Sequence, residues 1–412
     1  MESSASLEQA KHALLLLGII LGFGVFSGLL ARLVRVPDVV VFLLVGMLVG
    51  PGLLGLVDIK ADSAVNQMIL IFGSSYILFD GGASIKLRVL KEVWITVVVL
   101  ATLGVVITAA ITGIAAYYFL GLPFIVAMLL GAVLASTDPA TLVPVFKQVH
   151  IRERVAQTVM TESAFNDAMG AIVVFAVLGV AMGGGGFSPV HALTDLLKQS
   201  LLGIVIGGGL GYCAAVLIAH ERFGFLAEFA PVVTLMAVIG AYMSADGLQS
   251  SGFMAVFVFG IMLGNVESLG FCRSRVERHQ LDDFVMTTAL IMRMFIFILL
   301  GTQVDFSLIN QYLFAGVAVV VVFMLLARPV TVFVCALPDR RAKWTVKELL
   351  FMCWTRETGV IPGALAGMLV GMKAPGAQII ASVTFIAILM TIMIQATTTK
   401  WLAGKLDLLE EQ

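Results

Sequence analysis

The chain has 412 residues, of which 60 % are apolar and 12 % charged, with a formal net charge of −1. Soluble domains carry about a quarter charged residues, and a globule of this size has no interior able to hide so much apolar surface, so the composition excludes a water-soluble fold. The near-neutral balance gives no footing for nucleic acid, and the isolated Cys213, Cys272, Cys335 and Cys353 have the spacing of neither a metal site nor a disulfide framework.

The opening residues, MESSASLEQAK, are too polar to start a secretory signal, and no small-residue cleavage site follows the next apolar run. That run reads as a retained first helix at 12–33. Further apolar runs place spans at 38–57, 65–85, 93–119, 122–147, 153–182, 197–219, 226–245, 251–266, 284–303, 310–336, 346–370 and 377–402. They alternate with short charged patches and match a hydrocarbon core of about 30 Å. The expectation is an all-α polytopic membrane protein with about thirteen transmembrane helices. The glycine-rich stretch at 183–196 reads as a linker.

Basic residues fall in every second loop. One set carries Arg32 and Arg35, then Lys86, Arg88 and Lys91, then Lys147, Arg152 and Arg154, and continues through Arg222, Arg273, Arg275, Arg278, Arg340, Arg341, Lys343 and Lys405. The opposite loops carry Lys60, Lys198 and Lys373 among Asp58, Asp62, Asp246 and Asp305. The positive-inside rule then puts the N-terminus outside and the C-terminus in the cytoplasm, which requires an odd number of spans. Thirteen satisfies it, as does eleven with two re-entrant segments.

Charge within a bilayer costs a few kcal/mol per residue, so mid-span charges point to function. Span 5 contains Ser136-Thr137-Asp138-Pro139-Ala140-Thr141. Proline removes a backbone donor and disfavours the helix before it, which predicts a broken helix whose freed groups line a cavity or meet protein partners. Span 6 carries Glu162, Ser163, Asn166 and Asp167 at helical spacing, one stripe of hard oxygen donors suited to an alkali cation or a proton. Span 12 is interrupted at Arg356-Glu357-Thr358-Gly359-Val360-Ile361-Pro362-Gly363. Spans 5 and 12 lie an odd number of spans apart, so their halves enter the membrane in opposite directions, as in an inverted-repeat transporter with its site at the breaks. Asp80, Arg293 and Arg328 are the other buried charges. Asp138 reads first as a cap for a half-helix. Glu162 is either a salt-bridge partner of Arg328 or Arg356 or a direct ligand, and the two arginines favour the bridge. His150 and His279 are weak candidates for a pH sensor.

STDPA followed by TESAFND, with LFDGG upstream and ARPV and WTRETGVIPGAL downstream, resembles the monovalent cation/proton antiporters of the NhaP/NHE type over essentially the whole chain. The resemblance implies two crossing discontinuous helices in an NhaA-like antiporter fold. It implies that Asp167 is the ion- and proton-binding carboxylate, with Ser163 and the backbone of Thr137 as further ligands of a monovalent cation. Asp138 and Asn166 would hold the crossing together, Glu162 would pair with Arg328, and Asp80 with Arg356. Asn166 beside Asp167 implies electroneutral exchange of one cation for one proton. Relatives often read GLRGA where this chain has Arg356-Glu357-Thr358, an extra acid near the site. No regulatory tail is expected after about residue 405.

The expected mechanism is competition of a cation and a proton for Asp167. Spans 4–6 (93–182) and 11–13 (304–412) would form the transporting core, joined by a linker and span 7 (183–225). Spans 1–3 (1–92) and 8–10 (226–303) would form a scaffold carrying a homodimer interface. The resemblance implies that sodium, or potassium or lithium, would exchange for H+ across the inner membrane, with neither a cofactor nor enzymatic chemistry expected. A sodium-coupled symporter of an organic anion, using Arg293 or Arg356, is the alternative on the same architecture; a channel has no need of a titratable acid beside a helix break. Paired intramembrane aspartates or an HExxH motif, which a hydrolase needs, do not occur.

Overall fold

The structure, a computed structural model, describes residues 2–34, 36–137, 151–183, 189–219, 224–271 and 275–409. Among them it is helical throughout, with one isolated antiparallel bridge between Ile151 and Leu409. The helices are α1 (Glu2–Val34), α2 (Asp38–Val49), α3 (Ala64–Ala83), α4 (Leu87–Ala101), α5 (Leu103–Leu120), α6 (Phe124–Leu134), α7 (Glu153–Ala181), α8 (Pro189–Ala219) and α9 (Ala230–Gly247). They continue as α10 (Gly252–Gly264), α11 (Arg275–Thr302), α12 (Phe306–Val322), α13 (Arg328–Ala336), α14 (Val346–Trp354), α15 (Val360–Gly371), α16 (Ala377–Thr391) and α17 (Thr397–Lys405). Each expected span overlaps at least one of these. Eight helical stretches are long and apolar enough to cross a membrane, and α2, α6, α10 and α15 are shorter apolar segments.

Local chemistry sets the ends. Ser63 caps α3 by accepting from the Asn66 amide at 3.2 Å, and Asp305 caps α12 through the Ser307 and Leu308 amides. Thr345 and Glu348 form a reciprocal capping box on α14. Two boundaries differ from expectation. The span expected at 93–119 is two helices that part at Thr102, whose hydroxyl donates back to the Val98 carbonyl at 2.7 Å and so competes with the helical ladder. The linker at 183–196 is shorter than expected because α8 already starts at Pro189, whose fixed φ suits a first helical position.

Two packing groups emerge. In one, α11 packs on α1, α2 and α3, while α10 packs on α3, α8 and α9. In the other, α4 and α6 pack on α7, α5 on α6 and α12, and α15 on α16. The groups touch through α3 and α10 against α7, and α3 and α11 against α15. Inside the first group α2 and α11 cross where a Cβ on Gly46 would lie 3.0 Å from Gly301 Cα, so only glycine permits that approach. Large apolar side chains such as Leu33, Tyr118 and Phe314 are exposed on the outer faces. On a membrane protein these are surfaces for lipid.

Candidate site at the crossing of the interrupted helices

α6 stops at Leu134, and after the Ala135 amide closes on Gly131 at 3.0 Å, Ser136 and Thr137 leave the helix. Asp138 and the Asp-Pro step lie outside the described residues. The freed segment lies against α7, which runs unbroken through the polar stripe. The Thr137 amide donates to Asn166 Oδ1 at 3.1 Å, so a side chain on α7 replaces the helical acceptor that the break removed. Thr137 Oγ1 and Ser163 Oγ are 2.9 Å apart, and Asn166 Nδ2 donates to Thr137 Oγ1 at 2.8 Å and to Glu162 Oε1 at 3.1 Å. Ser136 donates its hydroxyl to Asp167 Oδ1. Asp167 is 3 % exposed, and Ser136, Thr137, Ser163 and Asn166 are buried with it. A Cβ on Gly170 would stand 3.0 Å from Ser136 Cβ, so glycine, one turn beyond Asn166, lets the segment lie close.

Ser136 is the residue at this site that reading the sequence for carboxylates missed. Its place directly before Thr137 was the available signal.

The positive charges come from the other half. In the chain between α12 and α13, Phe323–Ala327 form a π turn, and Arg328-Pro329 follows; the extra residue re-aims Arg328, and Pro329 has no amide to satisfy. Arg328 donates from Nη1 and Nη2 to the two oxygens of Glu162 at 3.0 and 2.9 Å, a bidentate pair, and from Nε to the Met352 carbonyl at 2.9 Å.

In span 12, α14 ends at Trp354, residues 355–359 are non-helical, and α15 starts at Val360, so Pro362 sits in its first turn where no amide is lost. The gap presents Arg356. Its Nη2 donates to the Ala135 carbonyl at the end of α6, and its Nη1 lies 3.9 Å from Glu162 Oε1. The break aims Arg356 at the end of α6, and Asp80 sits on α3 beside Gly81, whose face meets Ala164 of α7. One carboxylate, Glu162, therefore answers two arginines at the point where both interrupted spans meet.

The stripe thus divides by role. Glu162 is committed to arginine, Asn166 to the backbone of the break, and the oxygens of Asp167, Ser163 and Thr137 converge with Ser136 into a donor set of hard oxygens suited to an alkali cation. A separate cavity of about 730 Å³ opens between the loops that carry Asp58, Lys60, Asp62, Gln303, Asp305 and Lys373.

Residues 14–405 match the family described as sodium/hydrogen exchanger, transmembrane. The chain belongs to this family. Among sodium/hydrogen exchanger relatives, Na(+)/H(+) antiporter 1 of Methanocaldococcus jannaschii is 32 % identical over 95 % of both chains. The K(+)/H(+) antiporter NhaP of Alkalimonas amylolytica is 28 % identical over 96 % of this chain and 68 % of its own. The solved structure of the sodium proton antiporter MjNhaP1 from M. jannaschii superposes with a TM-score of 0.81 at 29 % identity, covering 98 % of this chain and 99 % of that one. The fold is accordingly the antiporter fold of that exchanger, with helices interrupted on both sides of the crossing.

Proposed function

We propose that this exchanger-family chain is a secondary transporter that exchanges a monovalent cation, Na+ or alternatively K+ or Li+, for H+, one for one, by alternating access. The observation that carries the reading is the buried carboxylate of Asp167, set against the Ser136 hydroxyl beside Ser163 and Thr137, while the neighbouring Glu162 is held bidentate by Arg328 with Arg356 close by. A carboxylate inside the membrane is stabilised by a proton or by a bound cation. One carboxylate cannot hold both, so each ion displaces the other. Ser163 and Thr137 would complete the cation's shell, Asn166 and Asp138 would hold the break in place, and Asp80 would support the core from α3. The relatives' activities with sodium and with potassium support the cation class.

The proposal extends to a homodimer in the inner membrane through the scaffold group, N-terminus outside, working without a cofactor and without enzymatic chemistry. The test is a pH-sensitive dye in proteoliposomes under an imposed proton gradient. Adding sodium, potassium or lithium should dissipate the gradient, and Asp167→Asn should abolish the response while eluting as native protein. Full activity in that variant would overturn the assignment, and uptake of an organic anion with sodium but no proton movement would make the protein a symporter.

A further inference from the structure

The cavity of about 730 Å³ lies on the boundary between the two packing groups, on the face opposite the basic loops. One wall carries Asp58, Lys60 and Asp62 from the loop before α3 and Gln303 just after α11; the other carries Lys373 and Gln378 from the end of α15 and the start of α16. One turn further in, the space narrows to about 10 Å³ between Leu300 of α11, Gly367 of α15 and Ser382 of α16. That is about the least that holds one water. Another turn along α15, a Cβ on Gly363 would stand 3.0 Å from Leu300 Cδ2, so the two groups touch there. A slot therefore runs down α15 toward the break at 355–359 and is shut before it arrives.

Each wall presents one side chain to the other at the mouth of this slot. The Ala61 carbonyl accepts from Asn66 Nδ2 at 2.9 Å and from Gln67 Nε2 at 2.8 Å, and Asn66 Oδ1 accepts from Gln303 Nε2 at 2.9 Å. The loop is thereby tied to both α3 and α11, and Asp62 follows Ala61 directly. Opposite it, α15 ends with the Lys373 amide donating to the Val370 carbonyl and the Ala374 amide to the Leu369 carbonyl, both at 3.0 Å. This Schellman ending puts the residue after the cap in the left-handed region, where glycine is the easy choice. The same connection uses Gly376 at φ 70°, yet the residue after the cap is Lys373 at φ 55°. The lysine supplies what glycine cannot, an ammonium 3.4 Å from Asp62 Oδ2. The pair crosses the boundary beside the place where a Cβ on Gly371 would lie 2.8 Å from the Ala61 carbonyl.

We propose that Lys373 and Asp62 form a latch that holds the two groups together at this face, and that the slot above α15 opens when the pair parts. The latch rests on the alternating-access reading for its motion, and on the orientation given with it for calling this face the outer one. Both side chains are exposed, 78 % and 48 %, and an exposed pair shifts an equilibrium by about twofold to fivefold. The pair therefore biases the closed form without preventing it from opening in every cycle.

The test uses the full chain with Cys213, Cys272, Cys335 and Cys353 replaced by serine and a reporter, Ser382→Cys, in the slot. The rate at which a charged methanethiosulfonate modifies the reporter in purified protein measures opening without any ion being moved. Lys373→Gly should raise that rate about twofold to fivefold. Asp62→Asn should match it, and the double variant should go no further, since both substitutions remove one shared interaction. Lys373→Arg should stay at the native rate. Glycine suits the left-handed turn, so Lys373→Gly should melt near the native temperature, and its faster labelling then reports opening and not unfolding. Should it fold poorly, the nearly isosteric Asp62→Asn decides alone. A native rate in Asp62→Asn overturns the latch, and so do additive effects of the two single variants. Exchange in proteoliposomes separates the two readings. Faster labelling in a chain that exchanges nothing would sink the exchange reading alone, and unchanged labelling in an active exchanger would sink the latch alone.

Discussion

Glu162 shows how the stripe on α7 separates structure from transport. Its two oxygens are held by Arg328 at 2.9 and 3.0 Å, and Arg356 stands 3.9 Å away. Glu162→Gln would leave two buried guanidinium groups facing a neutral amide. A loss of about 3–5 kcal/mol of stability is expected, read as a lower melting temperature in detergent, with Glu162→Met/Arg328→Met recovering part of it. Asp167→Asn should leave melting nearly unchanged, since its hydroxyl partners can hydrogen-bond an amide as well. Ser136→Ala removes the hydroxyl donor to Asp167. The expected effect is roughly a tenfold rise in the cation concentration for half-maximal exchange, with the maximal rate little altered, as for one hydrogen bond to a charged group; unchanged cation dependence would place Ser136 outside the ion's shell. The identity of the polar stripe was legible because helical spacing alone puts Glu162, Ser163, Asn166 and Asp167 together. Ser136 was not, since a serine in an apolar span is commonly satisfied by its own helix. The contact of Arg356 with the Ala135 carbonyl was not either, since spacing along one helix says nothing about which neighbour it faces.

At the level of elements, the breaks matter more than the spans. Proline and glycine marked where spans 5 and 12 give way, yet in span 12 the helix resumes before Pro362, which costs nothing in a first turn. The π turns at Phe323–Ala327 and Ile392–Ala396 carry no sequence signature, because they are imposed by packing around one inserted residue. At the second, the repair is visible afterwards: the hydroxyls of Thr397, Thr398 and Thr399 donate to the carbonyls of Met393, Ile394 and Gln395. Gly170 is where the element geometry is most exposed to change. Gly170→Val would push the Ser136–Thr137 segment away from α7, and exchange should fall by at least about tenfold, a misplacement near 1 Å being enough, while the protein still inserts and purifies. Native exchange from that variant would show that the segment has slack.

Taken whole, the two packing groups meet through α3 and α15, where a Cβ on Gly371 would strike the Gln67 amide and lie 2.8 Å from the Ala61 carbonyl. In a background without native cysteines, cross-linking Gln67→Cys to Gly371→Cys should stop exchange reversibly if the groups slide past each other. Transport that continues while cross-linked would fix them as one body. On the basic face of the molecule a different link ties α4 to the turn after α13. Asp339 accepts from the Thr96 hydroxyl at 2.6 Å, and the Trp344 indole donates to the same hydroxyl at 2.8 Å. Burial opposes ionisation of Asp339, but the Thr96 hydroxyl and the amides of Ala342 and Arg341 outweigh it and hold its carboxyl below the usual aspartate range. A lowered native value means that its stabilisation is complete above the unfolded value, about 3.9, and is lost as pH falls through the native one. Melting measured down to that range should therefore decline less steeply in Asp339→Asn than in the native chain. Helix order along the chain does not say how helices lie around one another; the division into core and scaffold came with the family resemblance.

The clamp on Glu162 also sets a timetable. Its arginine partner Arg328 is 166 residues further along the chain, a delay of roughly ten to thirty seconds at about 5–20 residues per second of synthesis. Through that interval a carboxylate destined for the membrane interior lacks the guanidinium that will clamp it, and the second half of the protein arrives onto a first half that is waiting for it. Release of a chain cut off before span 11 should accordingly leave a fragment that quality-control proteases remove, however well its early helices insert.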